Sequence, residues 1–256
     1  GLNHTSDSSD IMFDTYLGER VDLSVTDIAH IQSLNDPVPE ANGLVVNFGA
    51  TTITRSNAGL PAATAINADN SNAGNALLVF SSLNITNANG NGLIADQTGF
   101  IDVNSAAATG SAITVVNGRA LDIRNMSINI NFDSVSADGG DIAVLLNTVA
   151  GSLAVSGDGS TADSGGVIQN GTDIGIKLID STADVSLNFM NIASATGSTG
   201  GLLFDDSGSS STPGGGLTIA NTAFSGSEPG WVGVKVTTIN DTSFTLSNNV
   251  LTGSTG

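Results

Sequence analysis

A chain of 256 residues with 24 acidic against 6 basic side chains, net charge −18, repels polyanions, so nucleic acid and anionic membrane surfaces are poor partners. The lack of cysteine removes disulfides, thiolate chemistry and cysteine-ligated metals. The apolar residues are Ala, Val, Ile and Leu rather than aromatics, with one Trp and one Tyr, and Gly, Ser, Thr and Asn fill much of the rest; that mixture suits short strands and tight turns, not long helices.

In chain order, residues 1–42 read as an N-terminal cap or an irregular first coil. Val21, Leu23 and Val25 alternate, and Ile28, Ile31 and Leu34 then follow at helical spacing. Thr26 or Asp27 would cap such a helix and Asn35-Asp36-Pro37 would stop it. From residue 43 onward the pattern becomes repetitive. The unit is an apolar burst, a small-residue spacer, then a five-residue word of the form apolar-x-apolar-x-Asn. The word appears as Leu83-Asn84-Ile85-Thr86-Asn87, Leu121-Asp122-Ile123-Arg124-Asn125, Leu187-Asn188-Phe189-Met190-Asn191, Leu217-Thr218-Ile219-Ala220-Asn221 and Phe244-Thr245-Leu246-Ser247-Asn248. Gly157 takes the Asn place after Leu153-Ala154-Val155-Ser156. Six units between Asn87 and Asn248 average roughly 27 residues, a solenoid-like period.

Alternation with period two sends one side of each burst inward and the other outward. Bursts of this length cannot stand as independent sheets, so each unit must stack on the next. An Asn or Gly after the strand supplies the left-handed residue that turns a corner. Asn87, Asn125, Asn191, Asn221 and Asn248 are therefore expected in equivalent turns, as a ladder. The inward set is expected to include Leu121, Ile123, Leu153, Val155, Leu187, Phe189, Leu217, Ile219, Phe244 and Leu246. A string of Ig-like sandwiches is the rival fold, disfavoured by the short bursts and the lack of a tyrosine corner.

Carried by these Asn-terminated words over residues 75–256, and more faintly over 43–75, the pattern resembles the right-handed parallel β-helix repeat of the pectin-lyase-like superfamily. It looks closest to the repeat-rich versions found in large bacterial surface and autotransporter-type proteins. The resemblance implies an all-β solenoid, residues 43–256, belonging to a longer chain. Polygalacturonase-like members add an Asn-x-Asp, a His and an Arg-x-Lys motif; Gly175-Ile176-Lys177-Leu178 is no such motif, so that catalytic set does not transfer.

Chemistry-bearing residues are sparse. His4 and His30 lie outside the repeats, which leaves no Ser/His/Asp arrangement and no His-based metal site. Asp205-Asp206 is the candidate acidic pair; adjacent residues in a strand face opposite ways, so a turn would have to redirect one of them. Arg119 and Arg124 form the one close basic pair within the repeats, while Lys177 and Lys235 fall at outward positions. The acidic loops Ser136–Asp141 and Gly157–Gly166 match no Ca²⁺-binding consensus, so no cofactor is expected and Ca²⁺ binding would be weak at most. Trp231 and Tyr16 are the aromatics available for stacking on sugars, and glycosylation tripeptides begin at Asn3, Asn84, Asn125, Asn170 and Asn240. The expected function is non-enzymatic: a structural or adhesive β-helix on a secreted or cell-surface protein. Its partner would be a surface protein or glycan of a host or neighbouring cell, without membrane insertion. The alternatives are a polysaccharide lyase or hydrolase and a viral tail-spike or fibre.

Overall fold

The structure, a computed structural model, describes residues 45–69, 76–97, 99–103, 110–193, 197–207, 215–238 and 243–253. The expected N-terminal cap, with His4, Tyr16 and His30, lies outside them. The described residues begin with β1 (Val45–Arg55), β2 (Ile66–Asp69), β3 (Ala76–Asn87), β4 (Leu93–Asp96), β5 (Gly99–Val103) and β6 (Ala112–Val116). The middle coils hold β7 (Leu121–Phe132), β8 (Ser134–Asp138), β9 (Val144–Val155), β10 (Gly166–Gln169), β11 (Ile174–Ile179), β12 (Asp184–Asn188) and β13 (Met190–Ala193). The last coils hold β14 (Gly200–Asp206), β15 (Leu217–Ala220), β16 (Ala223–Gly226), β17 (Val232–Thr238), β18 (Phe244–Ser247) and β19 (Val250–Gly253).

Every pairing between these strands is parallel and joins one coil to the next, which makes the molecule an all-β parallel β-helix with three walls. The first wall stacks the leading halves of β1 and β3, then β5, the trailing halves of β7 and β9, β12, β15 and β18. The second wall stacks the trailing halves of β1 and β3, then β6, β8, β10, β13, β16 and β19. The third stacks β2, β4, the leading halves of β7 and β9, β11, β14 and β17.

The inward column of each wall explains why these sequences make strands. On the first wall Phe80, Val103, Ile130, Leu153, Val185, Leu217 and Phe244 lie in one register. Phe48 stacks on Phe80 with ring centroids 4.8 Å apart. On the third wall Ala95, Ile123, Leu146, Leu178, Phe204 and Val236 share another register. Each rung alone is too short to hold a sheet, but each apolar side chain is covered by its counterpart one coil above and below. These columns merge into a single continuous core.

The expected inward set needs two corrections. Phe189 is only half-buried, because the register aligns Val185 and Leu187 with Leu217 and Ile219 and leaves Phe189 at the corner. Phe244 and Leu246 do point inward in register, yet they are 39% and 58% exposed because no further described coil covers them.

Candidate functional site

Three corner stacks set how the outer faces are presented. Between the third and first walls, Gln97, Asn125, Thr148 and Asp180 follow one another with φ of 53°, 53°, 56° and 46°. Between the first and second walls the stack is Gly157, Phe189, Asn221 and Asn248, with φ of 63°, 54°, 51° and 54°. Between the second and third walls lie Asn117, Gly139 and Asn170, with φ of 57°, 86° and 57°.

The expected ladder is thus distributed differently. Asn221 and Asn248 share one stack and Asn125 belongs to another. Asn191 is not a corner residue: it sits in β13 opposite Ala223, and Phe189 holds the left-handed place two residues earlier. Asn87 is not a corner residue either. It ends β3 on the inside, 1% exposed, where its Nδ2 donates to Ala63 O and Asn91 O at 2.8 Å each. There it also accepts from the buried Arg55 Nη1 at 3.4 Å. Nor do the corner amides bond to one another: Asn125 Nδ2 donates to Asp96 Oδ1 and Asn221 Nδ2 to Asn188 Oδ1, both at 2.9 Å. Two corner residues that the Asn-terminated word does not capture, Asn117 and Asn170, each precede a glycine, and that Asn-Gly step is the signal the sequence carries for them.

The walls differ in chemistry. The first presents small polar rows, such as Asp102, Asn129, Ser152 and Asp184, linked by Asn129 Nδ2 to Asp102 Oδ1 at 2.9 Å and Ser152 Oγ to Asn129 Oδ1 at 3.1 Å. The second presents Thr54, Thr86, Thr114 and Ser136 in one register. The third is mixed: Ile94, Asp122, Leu145, Lys177, Leu203 and Lys235 form one outward row, and Asp96, Arg124, Asn147, Ile179, Asp205 and Thr237 the next. Among the described residues, four of the five cations (Arg119, Arg124, Lys177 and Lys235) belong to this wall or its leading corner, Arg55 being inside the coil.

On the third wall charge is organised around Asp122, which faces outward but is 5% exposed because two arginines cover it. Arg119 Nη1 reaches Asp122 Oδ2 at 2.5 Å, and Arg124 Nε reaches Asp122 Oδ1 at 2.7 Å. Arg119 also binds Asp141 in a two-point contact, Nε to Oδ1 at 3.0 Å and Nη2 to Oδ2. The Arg119 hydrogen bonds hold the Asp141 carboxyl down at about 2 and, reciprocally, raise Arg119 above the usual arginine range. Arg124 is raised by its bond to Asp122. Lys177 Nζ pairs with Asp173 Oδ2 at 2.5 Å.

The candidate acidic pair is divided by the strand. Asp205 faces outward, half-buried, and accepts from Ser207 N at 3.1 Å. Asp206 follows Leu202 and Phe204 inward, is 0% exposed, and among the described residues neither of its carboxylate oxygens has a hydrogen-bond partner. In the candidate Ca²⁺ loops Asp138, Asp141 and Asp158 already serve protein donors. Asp158 Oδ1 takes the N–H groups of Thr161 at 2.6 Å and Ser160 at 2.9 Å and the Ser164 hydroxyl at 3.1 Å; Thr161 above all, then Ser160, lowers its pKa. Asp138 takes Asn170 Nδ2 at 2.7 Å and Gln169 Nε2 at 3.2 Å. Among the described residues no three His, Asp or Glu side chains gather into a metal-holding group. Trp231 lies against Gly226, which has no side chain to keep the ring away.

The chain matches no family model, and searches of curated proteins and of solved structures returned no significant match.

Proposed function

We propose that this β-helix is a non-enzymatic scaffold of a secreted or cell-surface protein, a stalk or passenger whose third wall makes the contacts. The observation that carries the reading is the division of Asp205 from Asp206. A two-carboxylate glycosidase needs both groups at one sugar, whereas here one carboxylate faces solvent and the other lies in the core. Rung-on-rung stacking supports the spacer role: eight rungs at ~4.8 Å each reach roughly 35–40 Å along the axis. The third wall supports the contact role, since Leu203 and Ile179 stand beside Lys177 and Lys235 there.

The test offers the protein to polygalacturonate, alginate and neutral glucans while reducing ends and unsaturated products are followed. Binding to whole cells and to immobilised glycans is measured alongside. Binding without turnover is expected, weakened in Leu203→Asp and Lys235→Glu, two changes on the outer surface. Turnover that disappears in Asp205→Ala would replace the scaffold with an enzyme.

A further inference from the structure

The described residues contain four Asn-Gly steps, Asn89-Gly90, Asn91-Gly92, Asn117-Gly118 and Asn170-Gly171, and the fold treats them differently. Asn-Gly is the sequence most open to attack by the following main-chain nitrogen on the Asn carboxamide, because glycine places no side chain in the way. That attack needs a glycine nitrogen free to move. The Gly90 N–H donates to Val116 O and the Gly92 N–H to Arg119 O, each at 2.8 Å. Gly118 is buried against the coil above, so close that a Cβ placed on it would lie 2.3 Å from the Gly90 carbonyl carbon. Neither Gly118 nor Gly171 has an acceptor for its N–H among the described residues, but Gly171 is half-buried where Gly118 is buried, and a Cβ placed on it would meet only Asp141 O at 3.4 Å, so its nitrogen has the room to move that Gly118 lacks. Asn170 is exposed at the corner with φ 57°. Its Nδ2 donates to Asp138 Oδ1 at 2.7 Å, a bond that holds the carboxamide in place.

We propose that Asn170 is a site of spontaneous deamidation, with Asp138 as its brake. Hydroxide removes the Gly171 amide proton, and the nitrogen forms a bond to Asn170 Cγ. The Cγ–Nδ2 bond breaks and the nitrogen, taking up a proton, leaves as ammonia. Water then opens the five-membered imide at either carbonyl, giving aspartate or isoaspartate. Both products lose the donor that Asp138 uses and place a second carboxylate against it. Isoaspartate also reroutes the main chain through the side chain, adding a methylene to a corner that must stack on Gly139 and Gly140, where Thr172 N is bonded to Gly140 O at 3.1 Å. The reaction therefore marks age on the edge between the second and third walls.

The experiment incubates the intact protein in mildly alkaline buffer and maps aspartate and isoaspartate by peptide mass spectrometry and enzymatic methyl labelling. Conversion is expected at Asn170 ahead of Asn89, Asn91 and Asn117. Gly171→Ala should abolish the signal at Asn170. That substitution is sterically open, because the added Cβ would meet only Asp141 O at 3.4 Å, and an unchanged melt confirms the fold. Asp138→Ala should accelerate conversion, with Asp138→Asn, which keeps an acceptor, falling between it and the parent. Conversion first at Asn117, or a rate at Asn170 indifferent to Gly171→Ala, would overturn the proposal.

Discussion

At the scale of single residues, the most consequential side chain is Asp206. A carboxyl group removed from water without a partner costs free energy that an apolar group does not. Asp206 is fully buried, and both of its oxygens lack partners among the described residues. Asp206→Val removes both unpartnered oxygens while keeping a small strand-forming side chain, so it is expected to raise stability by about 1–3 kcal/mol, read as a higher urea midpoint with an unchanged slope. A lower midpoint would mean that the carboxylate is held by groups outside the described residues. Asp141 works the other way. Its pKa is held at about 2 by Arg119, below the ordinary 3.8, so its contribution is present above the unfolded value and is lost as pH falls through the folded one. Because its side chain is 49% exposed, the contribution is about 1 kcal/mol at most after screening. The stability gap between parent and Asp141→Asn should therefore close between about pH 4 and pH 2, as followed by thermal melts across that range.

At the scale of the element, the corners show what a sequence can and cannot disclose. The word Leu-Thr-Ile-Ala-Asn identifies the Asn221 corner because Asn tolerates a positive φ that other side chains avoid. The same rule misplaces Asn191. There Phe189 takes the left-handed position, since the stacking of Val185 on Leu217 and Leu187 on Ile219 outweighs a local cost of about 1–2 kcal/mol. Local preference was legible; the register that overrides it was not, because it depends on the coils above and below. The division of Asp205 from Asp206 was legible from strand alternation, whereas the absence of partners around Asp206 depends on how neighbouring coils surround it. Thr148 is a second override: a β-branched residue at φ 56° in the stack of Gln97, Asn125 and Asp180. Thr148→Asn should stabilise the protein by about 1 kcal/mol, since the exposed side chain gives up one hydrogen bond, to Asn147 Oδ1 at 3.1 Å. Equilibrium unfolding in urea checks it; an unchanged or lower midpoint would mean that Thr148 fits this corner without strain.

At the scale of the whole molecule, stability should grade along the axis, because a solenoid is held by nearest-neighbour contacts and a coil covered on one side has half of them. Val232, Val236, Phe244, Leu246, Val250 and Leu251 are all 39–61% exposed on β17, β18 and β19, while Leu217, Ile219 and Phe224, the counterparts of Phe244, Leu246 and Leu251 one coil back, are almost fully buried. Ile219 and Leu246 occupy the same inward register position on successive rungs. A carboxylate at Ile219 would lie between stacked coils without a partner, and Ile219→Asp should cost about 3–5 kcal/mol. At Leu246 the same charge reaches solvent, and the cost should stay within about 1 kcal/mol. Amide hydrogen exchange should follow the same order, fastest in β18, slower in β15 and slowest in β12 and the trailing half of β9. If the two substitutions lowered the melting point equally, or if β18 exchanged as slowly as β12, the coil of β18 and β19 would be covered on both sides in solution.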